Sequence, residues 1–285
     1  MGRSSEPGVS VVVPTCNEAR TISALLPRIA AVGALVREVV VVDAGSVDDT
    51  VASVRGTLPA AKVVTQTRYG KGNALACGFA AATSDLIVTL DADGRADPAQ
   101  IPAFVAALVQ GADFATGSRF LPGGSAVGQS GLRRGRTALL AAVASAFFGT
   151  AQTDPAFPYH AFWSDQLPML DLPAIGGPAA AGPAPWGDGL EIETVLGCRM
   201  AASGRRLVEI PAVERTPLAG PPVRRTAADD RRVLRALLTE HRRIRRDGRT
   251  PDTSDRVPIP ERASAGSPAS GFPVVRSPRR PPNER

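Results

Sequence analysis

The sequence predicts an α/β fold with a mainly parallel central sheet, and three observations lead to this class. Continuous apolar runs at residues 9–13, 38–42 and 86–90 are typical of strands buried on both faces. Segments with helical patterning separate these runs, so strand and helix alternate. Each run also leads into an acidic residue, as expected where parallel strands meet at a ligand-binding edge.

The first 120 residues contain most of the predicted sheet. The run VSVVV precedes the helical pattern ARTISALLPRIAAVG, and EVVVV precedes VDDTVASVRG with a cap at Ser46 or Asp48. A weaker run at 61–65 is followed by a helix that opens at Asn73, and LIVTL at 86–90 completes the series. We therefore expect right-handed crossovers between parallel strands.

The second half has a less regular pattern, and residues 171–185 are too rich in Pro, Gly and Ala to form a regular element. Composition beyond residue 249 predicts disorder. The remaining predicted elements are an apolar helix over 137–148, a helix over 189–203, a strand over 206–210 and a basic amphipathic helix over 227–246.

The net charge of +6 belongs to the C-terminal end of the chain. Residues 224–285 hold 16 Arg and eight acidic residues, a net charge of +8. Such a segment suits anionic lipid, and a solvated disordered tail explains the charge equally well. Because no Phe, Tyr or Trp is interleaved with the arginines of helix 227–246, we expect no nucleic-acid partner.

The cysteines and apolar segments predict a cytoplasmic protein. Cys16, Cys77 and Cys198 lie far apart, without zinc-site spacing, which predicts reduced thiols. The N-terminus lacks the apolar region of a secretory signal. The apolar helix 137–148 is shorter than the roughly 20 residues that span a bilayer. It suits a helix that lies on a membrane, in peripheral contact with the inner face of the plasma membrane, and an ordinary core helix explains it equally well.

Four acidic residues are predicted to converge at one edge of the sheet: Glu18, Asp43, Asp91 and Asp93. Convergent carboxylates repel one another, and Mg²⁺ or Mn²⁺ is the expected neutralising group because both ions prefer oxygen ligands. Alternation along an extended segment puts Asp91 and Asp93 on one face, which suits a metal ligand pair and is a poor capping geometry. For Asp48 a helix-capping role is the better interpretation.

The glycine-rich stretch RYGKGNALACG at 68–78 matches neither an ATP-binding P-loop nor a dinucleotide fingerprint. A Lys in a tight turn at a helix start can still contact a diphosphate. We therefore expect Lys71 and neighbouring backbone N–H groups to bind donor phosphates.

Five motifs in order, VVVPTCNE, VVVDAGSVDDT, GKGNAL, LDADGRADP and GSRF, resemble the family 2 glycosyltransferases of the GT-A fold. Within that family they are most similar to polyprenyl-phosphate (dolichol-phosphate) mannosyl- or glucosyltransferases. The resemblance extends over residues 9–220. It implies the following roles: Pro14, Glu18 and Asp43 hold the nucleotide; Asp91 and Asp93 hold the metal; and Arg119, Arg133 or Arg134, and Arg215 contact the acceptor phosphate and the leaving diphosphate.

The motifs depart from the family pattern at three places. The usual D-D-G-S is replaced by D-A-G-S at 43–46, so the motif does not identify the base of the nucleotide. The element after T-D has Pro158 where Gly is usual, and the polar loop expected near 220–223 reads GPPV. The predicted organisation is a disordered segment 1–8, a GT-A domain 9–223 with donor half 9–120 and acceptor half 121–223, a basic helix 224–248 and a disordered tail 249–285.

The choice of acceptor depends on whether the site contains a general base. A hydroxyl acceptor requires one, and Asp188 or Glu193 would be the candidate. A phosphate monoester has a second pKa of about 6 and needs no base near neutral pH. His160, the one His near the motifs, is expected to be a satisfied structural side chain.

The sequence therefore predicts a metal-dependent, inverting hexosyltransferase that uses a GDP-mannose or UDP-glucose type donor and a polyprenyl phosphate. A small phosphorylated or other soluble acceptor is the first alternative, because glucosyl-3-phosphoglycerate synthases carry a similar D-S-G-S motif. A catalytically impaired nucleotide-sugar-binding relative is the second. A scaffold that uses its Arg-rich end on nucleic acid is the third.

Overall fold

The computed structural model describes residues 3–128, 130–150, 152–175, 185–219 and 226–246, apart from the side chain of Arg133. The strands are β1 (Val9–Thr15), β2 (Val36–Asp43), β3 (Lys62–Thr65), β4 (Leu86–Leu90), β5 (Phe114–Ser118), β6 (Tyr159–Trp163) and β7 (Leu207–Pro211). The α-helices are α1 (Ala19–Ala30), α2 (Thr50–Thr57), α3 (Lys71–Ala81), α4 (Ile101–Val109), α5 (Gly131–Phe148), α6 (Leu167–Leu170), α7 (Ile192–Ala202) and α8 (Ala227–Arg246).

The strands form a single seven-stranded sheet in the order β3-β2-β1-β4-β6-β5-β7. Neighbours among β1, β2, β3 and β4 are parallel, as are β5 and β7, whereas β6 runs antiparallel to β4 and β5. The predicted α/β class with a mainly parallel sheet is confirmed. One sheet also joins the predicted donor and acceptor halves, since β6 follows β4 in space.

Both faces of the central strands are buried, which explains their continuous apolar sequences. Val11 and Val13 of β1 pack with Ile22 of α1 on one face, while Val12 packs with Leu75 of α3 on the other. Alternate side chains of a strand point to opposite faces, so a strand covered on both sides needs apolar residues at successive positions. This packing fixes the carboxyl ends of β1, β2 and β4 side by side.

Two strands were not predicted, and the starts of α3, α5 and α7 differ from the prediction. The sequence FATGS of β5 has no apolar run, and YHAFW of β6 follows a Pro-rich connection, so neither was predicted. Helix α5 begins at Gly131, six residues before the predicted start, because its first turns are polar and partly solvent-exposed.

Residues 3–8 are ordered, in contrast to the predicted disorder of residues 1–8. The Arg3 guanidinium lies 2.9 Å from Asp113 and 3.2 Å from Asp165, and it stacks 4.9 Å from the centre of the Trp163 ring. These contacts hold the N-terminal segment against the sheet. The predicted tail 249–285 and the loop 220–223 lie outside the described residues.

Within the described ranges, no helix combines the length and apolar character needed to cross a bilayer. Helix α5 is the longest of the apolar helices at 18 residues, but it carries Arg134 and Arg136 in its first turns.

Candidate active site

The acidic pair that follows β4 lies in a turn. Strand β4 ends at Leu90, and residues 91–94 turn sharply with Gly94 at a φ of 73°. Strand alternation therefore does not orient Asp91 and Asp93, and that part of the prediction is corrected. Their carboxylates still lie close enough for the charge of Asp93 to raise the pKa of Asp91.

Asp91 begins a chain of contacts that crosses the site. The Lys71 Nζ, at the first residue of α3, lies 2.5 Å from Asp91 Oδ1 and 2.6 Å from Glu193 Oε1. The other Glu193 oxygen lies 3.0 Å from His160 Nε2, and His160 Nδ1 lies 3.0 Å from the Thr116 hydroxyl. Lys71 is thus shared by two carboxylates, one of which β6 holds in place through His160.

The charges of this cluster shift its pKa values in opposite directions. Burial is the main cause of a raised pKa at Asp91; Lys71 opposes that shift. Burial alone would also raise the pKa of Glu193, but Lys71 and His160 outweigh it and lower this pKa to about 2. Lys71 has a raised pKa because its two carboxylate partners outweigh the effect of burial. Glu193 is therefore a bound anion with little basicity.

Asp93 belongs to a second ion-pair network. Arg95 Nε lies 2.5 Å from Asp93 Oδ2, and an Arg95 terminal nitrogen lies 3.3 Å from Glu214. Glu214 also accepts from Arg119 at 3.2 Å, and Arg119 binds Asp154 through Nε at 2.7 Å. Arg119 is only 7% exposed. These contacts favour a positioning role for Arg119 over the predicted direct contact with phosphates.

The start of α3 is packed against the segment that carries Asp188. Asp188 is fully buried, and its carboxylate accepts from Arg68 at 2.7 and 3.0 Å. The Asp188 carbonyl accepts from the N–H groups of Gly72 at 2.7 Å and Asn73 at 3.2 Å. Those N–H groups are thus already bonded within the protein, contrary to their predicted role at a diphosphate. Asp188 is likewise not exposed as a base.

The loops after β1 and β2 surround a cavity of about 350 Å³. Glu18 and Asp48 line this cavity. The Thr21 hydroxyl donates a hydrogen bond to Glu18. Asp48 accepts hydrogen bonds from the N–H groups of Thr50 and Ala19, which connects the two loops. Asp43 accepts from the N–H of Ser46 at 3.2 Å, and half-buried Pro14 pairs with Val42. The structure therefore brings the predicted nucleotide-binding residues to one edge of the sheet.

The predicted acceptor residues lie at two places near this edge. Arg215 is half-exposed, and its guanidinium lies 2.5 Å from the Asp97 carboxylate. Its backbone N–H donates to the Arg95 carbonyl at 2.8 Å. Arg134 lies at the mouth of an apolar groove of about 290 Å³ between α5 and Phe120. The side chain of Arg133 lies outside the described residues. The lining of the groove is Phe120, Arg134, Ala138, Ala141, Ala142, Ser145, Gln152 and Thr153.

The carboxylates near Asp91 and Asp93 do not form a closed metal cage. Among the described residues, no group of three or more His, Cys, Asp or Glu side chains is arranged to hold a metal ion. Two neighbouring carboxylates nevertheless fit an ion that completes its coordination with phosphate oxygens, which is the common mode of Mg²⁺ binding. The donor set thus fits a divalent cation that binds together with a diphosphate.

Several residues of the site were not singled out from the sequence. Arg95 lies inside the quoted motif LDADGRADP, and Asp154 is the acid of the T-D element. His160 was expected to be a structural side chain with its hydrogen bonds satisfied. Its ring is hydrogen-bonded, and the partner of Nε2 is Glu193, the carboxylate that also binds Lys71. The sequence contains one signal for Glu209 and Glu214: each is an acidic residue in or beside an apolar strand.

A sequence model described as "Glycosyl transferase family 2" matches residues 10–148. This segment belongs to glycosyl transferase family 2. An uncharacterized glycosyltransferase of Mycobacterium tuberculosis is 42% identical over 113 residues, which are 39% of this chain and 48% of the relative. The chain thus spans less than half the length of this relative.

Two further relatives are similar to part of this chain. Dolichol-phosphate mannosyltransferase of Pyrococcus furiosus is 38% identical over 120 residues, covering 41% of this chain and 34% of the relative. Undecaprenyl-phosphate 4-deoxy-4-formamido-L-arabinose transferase of Aeromonas hydrophila is 39% identical over 113 residues, covering 37% and 35%. The family predicted from the sequence motifs is confirmed.

Solved structures show a likeness of fold that extends beyond residue 148. Glucosyl-3-phosphoglycerate synthase from Mycobacterium tuberculosis, in complex with Mn²⁺, uridine diphosphate and phosphoglyceric acid, superposes with a TM-score of 0.62. The match covers 84% of this chain and 81% of that structure at 23% sequence identity. At this identity the likeness establishes the fold, so the predicted GT-A fold is confirmed.

Proposed function

We propose that this chain is a metal-dependent, inverting hexosyltransferase that transfers a sugar from a nucleotide sugar of the GDP-mannose or UDP-glucose type to a polyprenyl phosphate. Support for glycosyl transfer comes from the family 2 segment and from the acidic edge of the sheet. Two of the relatives carry dolichol-phosphate or undecaprenyl-phosphate in their names. Their matches cover 41% and 37% of this chain, so the acceptor has to be argued from the site.

The nucleotide lies, in this proposal, against the ends of β1 and β2. Pro14, Glu18 and Asp43 line that edge, and the cavity beside Glu18 accommodates part of the nucleoside. Asp91 and Asp93 would hold Mg²⁺ or Mn²⁺. Such an ion stabilises the negative charge that develops on a leaving diphosphate. Lys71 is positioned by Asp91 and Glu193 to place a cation beside the same phosphates.

The proposed acceptor depends on the partners and the burial of the two candidate bases, Glu193 and Asp188. Glu193 binds Lys71 and His160 and has a pKa of about 2, so it has little tendency to take a proton. Asp188 is fully buried and bound to Arg68. A hydroxyl acceptor would lack a base at either position, whereas a phosphate monoester is already ionised near pH 7. The arrangement therefore favours a phosphate acceptor.

The acceptor phosphate would approach along the edge that carries Arg215 and Arg134. The apolar groove at Arg134 suits the first isoprene units, and Arg133 is a further candidate for contact with the phosphate. Arg119 contributes indirectly, because it fixes Glu214 and Asp154 behind Arg95. Attack from the face opposite the diphosphate inverts the anomeric carbon. A lipid acceptor also implies peripheral contact with the cytoplasmic face of a membrane.

A soluble phosphorylated acceptor is the second candidate. The observation that favours it is the likeness of fold to a synthase whose complex contains phosphoglyceric acid. That acceptor presents a hydroxyl, and it would require Glu193 or Asp188 to be released from its partners. An impaired nucleotide-sugar-binding relative is the remaining alternative.

The test is a transfer assay with GDP-mannose and UDP-glucose against a short-chain polyprenyl phosphate and 3-phosphoglycerate, each with Mn²⁺, Mg²⁺ or EDTA. We expect metal-dependent transfer to the polyprenyl phosphate, and a loss of about 100-fold or more in Asp93→Ala because a ligand to the charge-stabilising ion is removed.

Asp85→Ala is the matched control, because Asp85 precedes β4 at the opposite end of the same strand and its side chain contacts only the backbone of Gly8 in the described structure. It should transfer sugar like the wild type. Full activity in Asp93→Ala would contradict the metal mechanism, and transfer to 3-phosphoglycerate alone would contradict the lipid acceptor.

A further inference from the structure

Helix α5 presents an apolar stripe to solvent. Five exposed residues recur at intervals of three and four along the helix, the spacing of a single helical face. Leu132 is 76% exposed and Leu139 is 66% exposed. Surface leucines at such exposure on one continuous face are unusual in a monomeric protein. The stripe consists of Leu132, Gly135, Leu139, Ala142 and Ala146.

Helix α8 lies beside this stripe and adds positive charge. Phe147 of α5 stacks on His241 of α8 with ring centres 4.4 Å apart, and Arg136 binds Asp230. On α8, the partly exposed Leu234 lies two turns before His241 on the side next to α5, and the arginines follow around the helix. The exposed arginines of this side are Arg231, Arg235, Arg242 and Arg245.

Each acidic residue of α8 has a partner within the protein. Glu240 is fully buried against Arg199, Asp230 binds Arg136, and Asp229 accepts from the N–H and hydroxyl of Thr226. The combined surface is therefore apolar along α5 and cationic along α8, which is the pattern of an element that lies in a membrane interface.

The same surface continues into the groove of the site. Ala138 and Ala142 of α5 line that groove, and Ala142 also belongs to the apolar stripe. A chain that leaves a bilayer beside the stripe would enter the groove next to Arg134 without crossing a charged surface. We propose that α5 and α8 form a docking face for a bilayer containing anionic lipid. The α5 stripe enters the headgroup region, and the α8 arginines bind the lipid phosphates.

The docking face rests on the proposed function, because it would supply the route for a lipid acceptor. The docking face can be wrong while the proposed function is right. The experiment is co-sedimentation of the full chain with vesicles of phosphatidylcholine containing 30% phosphatidylglycerol, and with phosphatidylcholine alone. We expect binding to the mixed vesicles that weakens with salt. It should fall about tenfold or more in Leu132→Ser/Leu139→Ser and in Arg235→Gln/Arg242→Gln.

Matched controls remove the same groups elsewhere. Val109→Ser removes an exposed apolar side chain at the end of α4, and Arg28→Gln/Arg55→Gln removes two exposed charges on α1 and α2. Both should bind vesicles like the wild type. Thermal unfolding of each variant establishes that it is folded, because all these side chains are largely solvent-exposed.

Two results would overturn the docking face: no binding of the wild type to the mixed vesicles, or equal binding of the leucine variant. A wild type that elutes as a dimer and ignores vesicles would also overturn it, by assigning the stripe to a second copy. Transfer to a water-soluble short-chain polyprenyl phosphate separates the two ideas. Activity there without vesicle binding rejects the docking face and leaves the proposed function intact.

Discussion

At the scale of single residues, the site is governed by which carboxylates have partners. Glu193 accepts contacts from Lys71 and His160 on its two oxygens, whereas a general base needs an accessible oxygen and a pKa near the working pH. The proposed role of Glu193 is therefore to hold Lys71, and the acceptor must bring its own negative charge.

This role predicts a mild effect for Glu193→Gln. The amide still accepts from Lys71, so transfer to a polyprenyl phosphate should fall less than about tenfold, whereas loss of a true base costs roughly 10²–10⁴-fold. Lys71→Met serves as the contrast, because it removes the cation and should abolish most activity. The measurement is kcat across pH 5–8. A loss of 100-fold or more in Glu193→Gln would show that this carboxylate is the base.

Glu209 on β7 is a buried acid of a different kind. One carboxylate oxygen accepts from the N–H groups of Thr153 at 2.8 Å and Asp154 at 3.1 Å, and the other accepts from the Thr153 hydroxyl. Burial raises the pKa of Glu209 to about 7. Glu209 thus fixes the backbone of Asp154, the partner of Arg119, while burial disfavours its ionised form.

The raised pKa makes stability depend on pH. Between the unfolded pKa near 4.5 and the folded pKa near 7, the folded state binds more protons, so the free energy of unfolding falls as pH rises. In Glu209→Gln this loss, on the order of 3 kcal/mol, should disappear. Urea unfolding of both proteins at pH 5 and pH 8 measures it. Parallel pH profiles for wild type and variant would exclude Glu209 as the source.

At the scale of elements, the backbone at the start of α3 packs directly against the backbone of residues 187–189. The contact leaves no room for a side chain at Gly70 or Gly72. A Cβ at Gly72 would lie 1.8 Å from the Gly187 carbonyl oxygen, and one at Gly70 would lie 2.1 Å from that of Asp188. Glycine at these positions lets the two backbones meet and bond. The position of Lys71, which lies between the two glycines, depends on this fit.

Gly72→Ala should therefore push the segments apart and destabilise the protein by about 2 kcal/mol or more. Gly56→Ala in α2 is the matched control, because a Cβ there meets nothing within 4 Å. That change should be neutral or stabilising by about 0.4–1 kcal/mol. Chemical unfolding of both variants provides the comparison. Similar stabilities for the two alanine variants would mean that the close approach is not required.

Elements with strong local signals were predictable, and those defined by tertiary contacts were not. The runs of β1, β2 and β4 are apolar because both sheet faces are covered, and this pattern is visible in the sequence. The small residues of β5 form a strand only because β6 and β7 pair with it. The acidic edge was predictable for the same reason as the strands that end there.

The partners of the acids were beyond prediction. Arg68 and Asp188 are 120 residues apart, and Arg119 and Glu214 are 95 apart. No local pattern relates such residues, since their pairing depends on how whole segments pack. The turn at 91–94 was missed because the sequence LIVTLDAD does not mark where the strand ends.

At the scale of the whole molecule, Glu240 of α8 joins distant parts of the chain. Its carboxylate binds the Arg199 guanidinium at 3.0 Å through both oxygens and accepts from the Trp186 indole at 2.6 Å. Arg199 in turn donates to the carbonyls of Leu170 and Asp171. The last described helix thus holds both ends of the connection between α6 and α7 against the domain.

Glu240→Ala should destabilise the protein by about 3–5 kcal/mol, because it leaves the Arg199 charge buried without its carboxylate. The double variant Arg199→Met/Glu240→Leu should recover much of this loss, since the unpaired charge is gone. Thermal and urea unfolding measure the cycle. If the double variant were as unstable as the sum of the two single changes, the pair would not act as a unit.

Three acids of the site are each paired with a basic side chain of the chain itself: Asp91 with Lys71, Asp93 with Arg95, and Asp188 with Arg68. Carboxylates balanced in this way do not need an external ion to offset their repulsion. A chelator should therefore abolish sugar transfer while leaving the melting temperature unchanged, as differential scanning calorimetry with and without EDTA would measure. A drop in melting temperature with EDTA would contradict this. Under the proposed function, metal binding then belongs to the catalytic cycle, and we expect the protein to be purified in folded form without it.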